Sequence, residues 1–450
     1  MQLASAVEDR SAAGIASAVH REIRAGRIMP GERLPTVREL AKELKVSPAT
    51  VSEAWQALAA AGVIESRGRA GTTVKREATS TGPTRYRSIT SSASAGGMDL
   101  ASGTPDPLLL PPIAPAMNRV IAKGTNLTTS YLDDPVVPEL EHLLRVTWPF
   151  TPERVDVVDG AMDALSRVVD DVIRLGDRVV VEDPGFPPLI DMLNRAGAQI
   201  IGVGLDAEGI IPSALAKALA LEPVAVFYQP RAQNPTGISM TNGRARELAA
   251  LLEPHSALIV EDDHSGEIAI AEDVSLGTWL PERCVHIRSY SKSHGPDLRI
   301  AAIGGPAQIL DRIRARRTLG PGWTSRLMQS ILVELLTDVE AVERVTVARE
   351  TYAKRAAHFA QLLLERGVQL RVPDGINCWI PVADERVALV SLAGAGIKVA
   401  PGEPFQISPA PAPHIRLTCG VLASERERLR IAQYVAAAAP EGLSTRISRR

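Results

Sequence analysis

Cysteine is scarce in this chain, with three among 450 residues, Cys284, Cys378 and Cys419. They are widely scattered and form no Cys-x-x-Cys pair, which argues against a disulfide framework and against a structural zinc site. No apolar run approaches the ~18–20 residues needed to span a bilayer. The opening stretch MQLASAVEDRSAAG lacks the basic segment and apolar core of a secretory signal. There is no internal repeat. These absences lead to the expectation of a reduced, cytoplasmic, globular protein.

What is present is length and an uneven charge. With 450 residues and a hydrophobic fraction of 45 %, the chain is too long for one ordinary core, so two or three domains are expected. The net charge is −2, but residues 1–87 carry 14 Lys and Arg against 9 Asp and Glu, leaving the remainder at −7. A basic head on an acidic body suits a polyanion partner for the head alone. Residues 77–97, EATSTGPTRYRSITSSASAGG, are rich in Ser, Thr and Gly without apolar periodicity, a linker composition. Such a stretch reaches ~70 Å when extended and roughly 25 Å on average as a coil. The division expected is therefore 1–76, a flexible linker 77–97, and 98–450.

Before the linker the pattern is helical, then a hairpin. Ile15, Val19, Ile23 and Ile28 fall near helical spacing. Thr36-Val-Arg-Glu39 has the form of a capping box opening a helix to Leu44. Lys45-Val46 makes a tight turn, and Ser47 caps a second helix with Pro48 at its first position. Val63-Ile64 and Thr72–Val74 are β-prone pieces around Arg67-Gly-Arg-Ala-Gly71. Two capped helices across a short turn, then a glycine-containing hairpin, describe a winged helix-turn-helix. Its second helix would present Ser47, Thr50 and Ser52 to base edges in a major groove. Arg38 is placed for a phosphate, and Arg67 and Arg69 at the hairpin tip for phosphates or a minor groove. A protein-binding winged helix has the same local pattern.

After the linker, strand-like runs (Val155–Val158, Arg178–Val181, Ala225–Tyr228, Leu258–Val260, Val285–Ile287) alternate with helical stretches (Met162–Leu175, Leu189–Ala196, Arg244–Leu252). This is the signature of α/β units around a mainly parallel sheet. One helix is expected over Leu327–Gln361, then a smaller α+β tail.

Chemistry-bearing residues follow the strands, where ligands bind in open parallel sheets. Lys292 in Ser289-Tyr-Ser-Lys292 can form a Schiff base with a carbonyl if its pKa is lowered, although a single lysine is usually a surface residue. Arg299, seven positions on, and Ser289 can supply hydrogen bonds to a phosphate. Asp262 and His264 share one face of their strand, Asp263 the other. That alternation splits a metal-ligand reading of Glu261-Asp-Asp-His264 between two faces, so no metal is expected. A carboxylate at Asp262 would keep a pyridine nitrogen protonated. Asn234-Pro-Thr-Gly237 makes a rigid turn that can set the Asn234 amide on a ring hydroxyl. Gly160-Ala161 opens a helix whose free N–H groups suit a phosphate. Phe186 offers a flat face to a ring, or to the core. Together these features describe a phosphate-bearing pyridine ring with an aldehyde.

Two resemblances sharpen the reading. The string PGERLPTVRELAKELKVSPATVSEAWQALAAAGVIESRGRAGTTV resembles the GntR-type DNA-binding head over about residues 11–75. Residues 98–440 resemble a fold-type I, class I aminotransferase, and the combination is that of the MocR-type regulators. The resemblance implies pyridoxal 5′-phosphate (PLP) on Lys292 as a Schiff base. It places Asp262 at the pyridine nitrogen and Asn234 at the ring hydroxyl. Ser289, Arg299 and the Gly160-Ala161 backbone go to the phosphate. It makes Arg416 in HIRLTCG the grip for an effector carboxylate. It implies that Tyr131 in SYLDDP reaches the phosphate in the partner subunit of a homodimer. His264 departs from the tyrosine usual at that position, and an imidazole there is expected to donate to the ring oxygen with a charge that varies near neutral pH. DDH, DLASGTPDP and DGINCWIP resemble the branch concerned with vitamin B6 salvage. The expected function is thus a regulator binding double-stranded DNA, responsive to PLP or an amine, and not an enzyme. The alternative is a working aminotransferase with an appended head.

Overall fold

A computed structural model describes residues 3–7, 9–29, 31–60, 63–66, 71–74, 84–90, 97–124, 130–409 and 412–440. In the head, the helix Ala12–Arg24 starts at Ser11, whose Oγ accepts from the Gly14 N–H. The helix Val37–Leu44 opens on the expected capping box, with Thr36 and Glu39 each accepting from the other's backbone N–H. It ends because Lys45 turns left-handed at φ 56°. Pro48–Ala60 follows after Ser47, whose Oγ accepts from Thr50 N at 3.1 Å. Ile15, Val19, Leu40, Val51 and Leu58 are fully buried where the three helices meet; each such side chain contributes roughly 1.5–3 kcal/mol. The strands Ile64–Ser66 and Thr72–Val74 pair antiparallel, with Ile64 opposite Val74. The hairpin tip with Arg67 and Arg69 lies outside the described residues.

The linker expectation is corrected in one stretch. Thr84–Thr90 is helical and docked on the body. Ser/Thr composition concealed this because the stabilising partners, Asp191 and the carbonyls of Pro404 and Gln406, are more than a hundred residues away.

The body is built on an eight-stranded sheet in the order Arg154–Val158, Ala301–Gly305, Cys284–Ser289, Leu258–Asp263, Ala225–Tyr228, Arg178–Asp183, Gln199–Asp206, Gly209–Ile210. The central strands are parallel; Ala301–Gly305 runs antiparallel to both its neighbours. Alternation along the strands divides the core. Val180, Val226 and Ile259 enter one apolar cluster, whereas Val179, Val181, Phe227 and Val260 enter the cluster on the opposite face. A sheet buried on both faces reads as continuous apolar runs. Ala301–Gly305 escaped the sequence reading because its residues are small. A Cβ on Gly304 would meet Trp148 at 2.7 Å, so packing requires glycine there.

The expected helix over Leu327–Gln361 is two helices, Arg326–Thr337 and Val339–Leu364. The break is at Asp338, whose extended backbone and carboxylate cap the second helix at Ala341 N. A smaller lobe packs helices Glu385–Gly394 and Glu425–Ala437 near the antiparallel strands Asn377–Pro381, His414–Thr418 and Ala400–Pro401. Among the described residues no helix is long and apolar enough to cross a membrane.

Candidate functional site

The carboxyl ends of the parallel strands open onto a cavity of about 100 Å³. Nine of the ten residues expected at a cofactor line it, namely Gly160, Ala161, Phe186, Asn234, Asp262, His264, Ser289, Lys292 and Arg299. The tenth, Tyr131, does not. It is 89 % exposed, with Trp323 as its aromatic neighbour at 6.1 Å.

Asp262 ends the strand Leu258–Asp263 and is buried. Burial pushes its carboxyl up to about 6, against the hydrogen bond from Gln229 and the charge of Lys292. Oδ2 accepts from Gln229 Nε2 at 2.7 Å, and Oδ1 is buried with no partner among the described residues. An orphaned carboxylate oxygen beside a cavity is a site poised for a donor. Gln229 escaped sequence reasoning. Its Oε1 accepts from the Asn234 N–H at 2.8 Å, so one side chain fixes both Asp262 and Asn234. Its own backbone N–H donates to Glu182, which burial pushes up to about 8. No local pattern marks Gln229; only its position one residue past a buried strand next to Asp262 hinted at it.

Lys292 follows the strand Cys284–Ser289, and burial pushes its ammonium down to about 8, although Asp262 opposes this. A lysine so lowered is available as a nucleophilic amine near neutral pH. Ser289 Oγ pairs with Ser291 Oγ at 3.0 Å. Gly160, at φ +97°, caps the helix Ala161–Val172 without any side-chain cap, so the N–H groups of Ala161 and Met162 have no such partner among the described residues. A Cβ on Gly160 would lie 3.0 Å from Arg299 Nη2, so glycine allows the guanidinium and the helix end to converge. Arg299 also donates to the Asp159 carbonyl at 3.0 Å.

His264 corrects an expectation. Burial first, and the charge of Lys292 second, push it down to about 3, so it is neutral throughout the physiological range. Its Nε2 lies 2.9 Å from the Ala232 carbonyl. A carbonyl oxygen only accepts, so Nε2 carries the proton and Nδ1 is left as an acceptor, 3.4 Å from Ser265 Oγ. In this arrangement the ring has no N–H to give to a cofactor oxygen. The neighbouring acids face elsewhere: Glu261 binds Ser275 and His286, and Asp263 pairs with Arg231 at 2.5 Å.

Arg416, on His414–Thr418 of the smaller lobe, is buried. Desolvation pushes it down to about 10. Nη1 donates to Asn234 Oδ1 at 3.1 Å and Nη2 to the Ala101 carbonyl, while Nε is buried without a partner among the described residues. A buried guanidinium held only by uncharged oxygens has room for an anion.

In the head, Arg38, Ser47, Pro48 and Ala49 are exposed and Thr50 and Ser52 half-buried. Ser47 to Ser52 form an open helix start of the kind that enters a groove, and Arg38 lies on the preceding helix.

Residues 95–432 match the family "Aminotransferase class I and II", and residues 11–74 match "Bacterial regulatory proteins, gntR family". The chain belongs to the GntR-type transcriptional regulators that carry an aminotransferase-like domain. Among its relatives is the "Vitamin B6 salvage pathway transcriptional repressor PtsJ" of Salmonella typhimurium (strain LT2). The two are 34 % identical over 428 residues, 92 % of this chain and 96 % of that one. The "Probable rhizopine catabolism regulatory protein MocR" of Rhizobium meliloti is 26 % identical over 370 residues, 76 % and 74 % of the two chains. Both relatives are regulators, and the chain stands with them rather than with enzymes. In fold, the body is similar to LysN, the α-aminoadipate aminotransferase of Thermus thermophilus. The TM-score is 0.69 at 22 % identity, over 79 % of this chain and 94 % of that one.

Proposed function

We propose that this regulator binds operator DNA through its head and holds PLP in its body, with occupancy of the body altering affinity for DNA. The observation that carries the cofactor reading is the pairing of an amine lowered to about 8, Lys292, with Asp262, whose Oδ1 is buried without a partner among the described residues. The residues fit a phosphorylated pyridine aldehyde. Lys292 meets the aldehyde and Asp262 Oδ1 the ring nitrogen, and Asn234 is left with its amide nitrogen for the ring hydroxyl. Phe186 flanks the ring, while Ser289, Arg299 and the open helix start at Gly160-Ala161 hold the phosphate. When bound, the cofactor supplies an aldehyde that exchanges between Lys292 and a free amine. Arg416 takes the carboxylate of an amine effector.

Arg38 and the start of Pro48–Ala60 read DNA, joined by Arg67 and Arg69. Tyr131 and Leu132, 89 % and 96 % exposed, suit a homodimer contact in which Tyr131 reaches the partner's site. The likeness to the Salmonella repressor supports genes of vitamin B6 salvage as the target, and a cytoplasmic location follows from such a role. The test is direct. Purified protein with PLP gives a visible band, borohydride fixes the label on the Lys292 peptide, and saturating PLP shifts the DNA titration. An identical covalent adduct on Lys292→Ala overturns the assignment.

A further inference from the structure

Asn234 sits in a loop, residues 230–240, that contains no helix or strand. Main-chain bonds close the loop on itself: Gln233 N donates to Ile238 O at 2.8 Å, and Met240 N to Pro230 O at 2.8 Å. Within it Ala232 is left-handed, at φ 46°, a conformation an alanine keeps only where its surroundings impose it. The loop therefore depends on contacts outside itself.

Those contacts converge on Asp374, a half-buried residue just before the smaller-lobe strand Asn377–Pro381. Its main-chain N–H donates to the Gly237 carbonyl at 2.8 Å. Its Oδ2 accepts from Ser239 Oγ at 2.8 Å and from Ala271 N at 3.1 Å, and its Oδ1 from Ile270 N at 2.8 Å. One carboxylate thus joins the loop carrying Asn234 to the segment that follows Asp262 and His264. The backbones also touch: a Cβ on Gly375 would lie 2.8 Å from Ala232 Cβ, and one on Gly237 would lie 2.3 Å from Pro373 Cβ.

From Asp374 a chain of hydrogen bonds runs to the wall of the cofactor cavity. Ser239 donates its O–H to the carboxylate, so its oxygen is left to accept from Ala232 N, at 2.8 Å. The Ala232 carbonyl in turn accepts from His264 Nε2 at 2.9 Å. Each donor in this chain meets an acceptor, so its direction is set from Asp374 inward. Asn234 is reached from the same lobe by a second route. Arg416, opposite Trp379 on the paired strand, donates to Oδ1 at 3.1 Å and leaves the amide nitrogen as the group for a ring hydroxyl.

We propose that Asp374 is a positioning residue of the cofactor site, fixing the loop that presents the Asn234 amide to PLP. It does not line the cavity and acts only through the loop. The proposal rests on the cofactor reading above and adds the residue that sets its geometry. A hydrogen bond weakens steeply when its donor is misaligned, so the Asn234 amide serves a ring hydroxyl only while the loop is held. Alanine at 374 removes every side-chain bond to the loop and to residues 270–271. Asparagine keeps one acceptor oxygen and turns N–H groups toward donors that need an acceptor. Loss of cofactor affinity should follow that order. The coupling is reciprocal: if the bonds to Asp374 favour PLP, PLP favours those bonds by the same factor.

The test titrates the full-length protein with PLP and reads the visible band. Asp374→Ala should weaken PLP about ten-fold, the worth of one hydrogen bond to the ring, with Asp374→Asn between it and wild type. Asn234→Ala should weaken PLP too, and adding Asp374→Ala to it should cost little more, because both act through one contact. In the wild-type protein PLP should slow amide exchange at Ile270 and Ala271, whose N–H groups donate to Asp374. A residue that only supports the fold would lower Tm equally with and without PLP and leave affinity unchanged. That result overturns the proposal, and Asp374→Asn supplies it if Asp374→Ala fails to fold. Penalties that add in full with Asn234→Ala overturn it as well, since they place the effect outside the Asn234 contact. PLP uptake on Lys292 with wild-type affinity in both Asp374 variants leaves the cofactor reading standing and sinks this proposal alone. A wild-type protein that takes up no PLP sinks both.

Discussion

Asp262→Asn gives a prediction with two opposite signs. In the unloaded protein Asp262 is a buried carboxyl raised from 3.8 to about 6 by desolvation. Its folded value lies above its unfolded one, so its contribution to stability is fully present below 3.8 and is lost as pH rises through about 6. Above pH 7 its charged form costs the fold ~3 kcal/mol. Asparagine removes that cost and can still accept from Gln229, but its amide nitrogen inherits the unpartnered place of Oδ1, a penalty of ~1 kcal/mol. The net is a gain of ~2 kcal/mol above pH 7, or about 3 °C in the Tm of a body this size. Near pH 4.5 the two effects roughly cancel. With PLP that gain is largely offset, because a charge-assisted hydrogen bond to the ring nitrogen, worth ~1.5–3 kcal/mol, is lost. PLP affinity should fall between 10- and 100-fold. Thermal unfolding of both proteins from pH 4.5 to 8, with and without PLP, checks this. A variant whose Tm difference from wild type is the same at every pH refutes the argument that Asp262 is a strained carboxylate awaiting a donor.

Gly160→Ala places a Cβ at 3.0 Å from Arg299 on a backbone at φ +97°, a strain of ~1–2 kcal/mol. PLP binding measured by the visible band should weaken roughly ten-fold without unfolding the head. Arg38→Ala should weaken DNA binding on all sequences and flatten the log–log salt slope by about 1. Thr50→Ala should instead change sequence preference; equal loss on every sequence would remove Thr50 from the base-reading set.

Local chemistry wrote much of this molecule into its sequence. The Thr36–Glu39 capping box, the Ser47-Pro48 helix start and the β-branched runs need only neighbours within a few positions to act, so they read correctly in isolation. That nine of the ten residues expected at a cofactor line one cavity was legible for a related reason: in a parallel sheet, residues just past strand ends are delivered to one edge whatever the loops do. What the chain could not announce were partnerships across long separations. Whether His264 carries a charge depended on its burial and on the Ala232 carbonyl 32 residues earlier. Gln229 became the clamp on Asp262 only when two strands lay side by side. The segment 84–90 reads as linker because a seven-residue helix has too few internal hydrogen bonds to repay nucleation alone; Asp191, Pro404, Gln406 and Phe405 supply what its own sequence lacks, and only the folded body brings those four together.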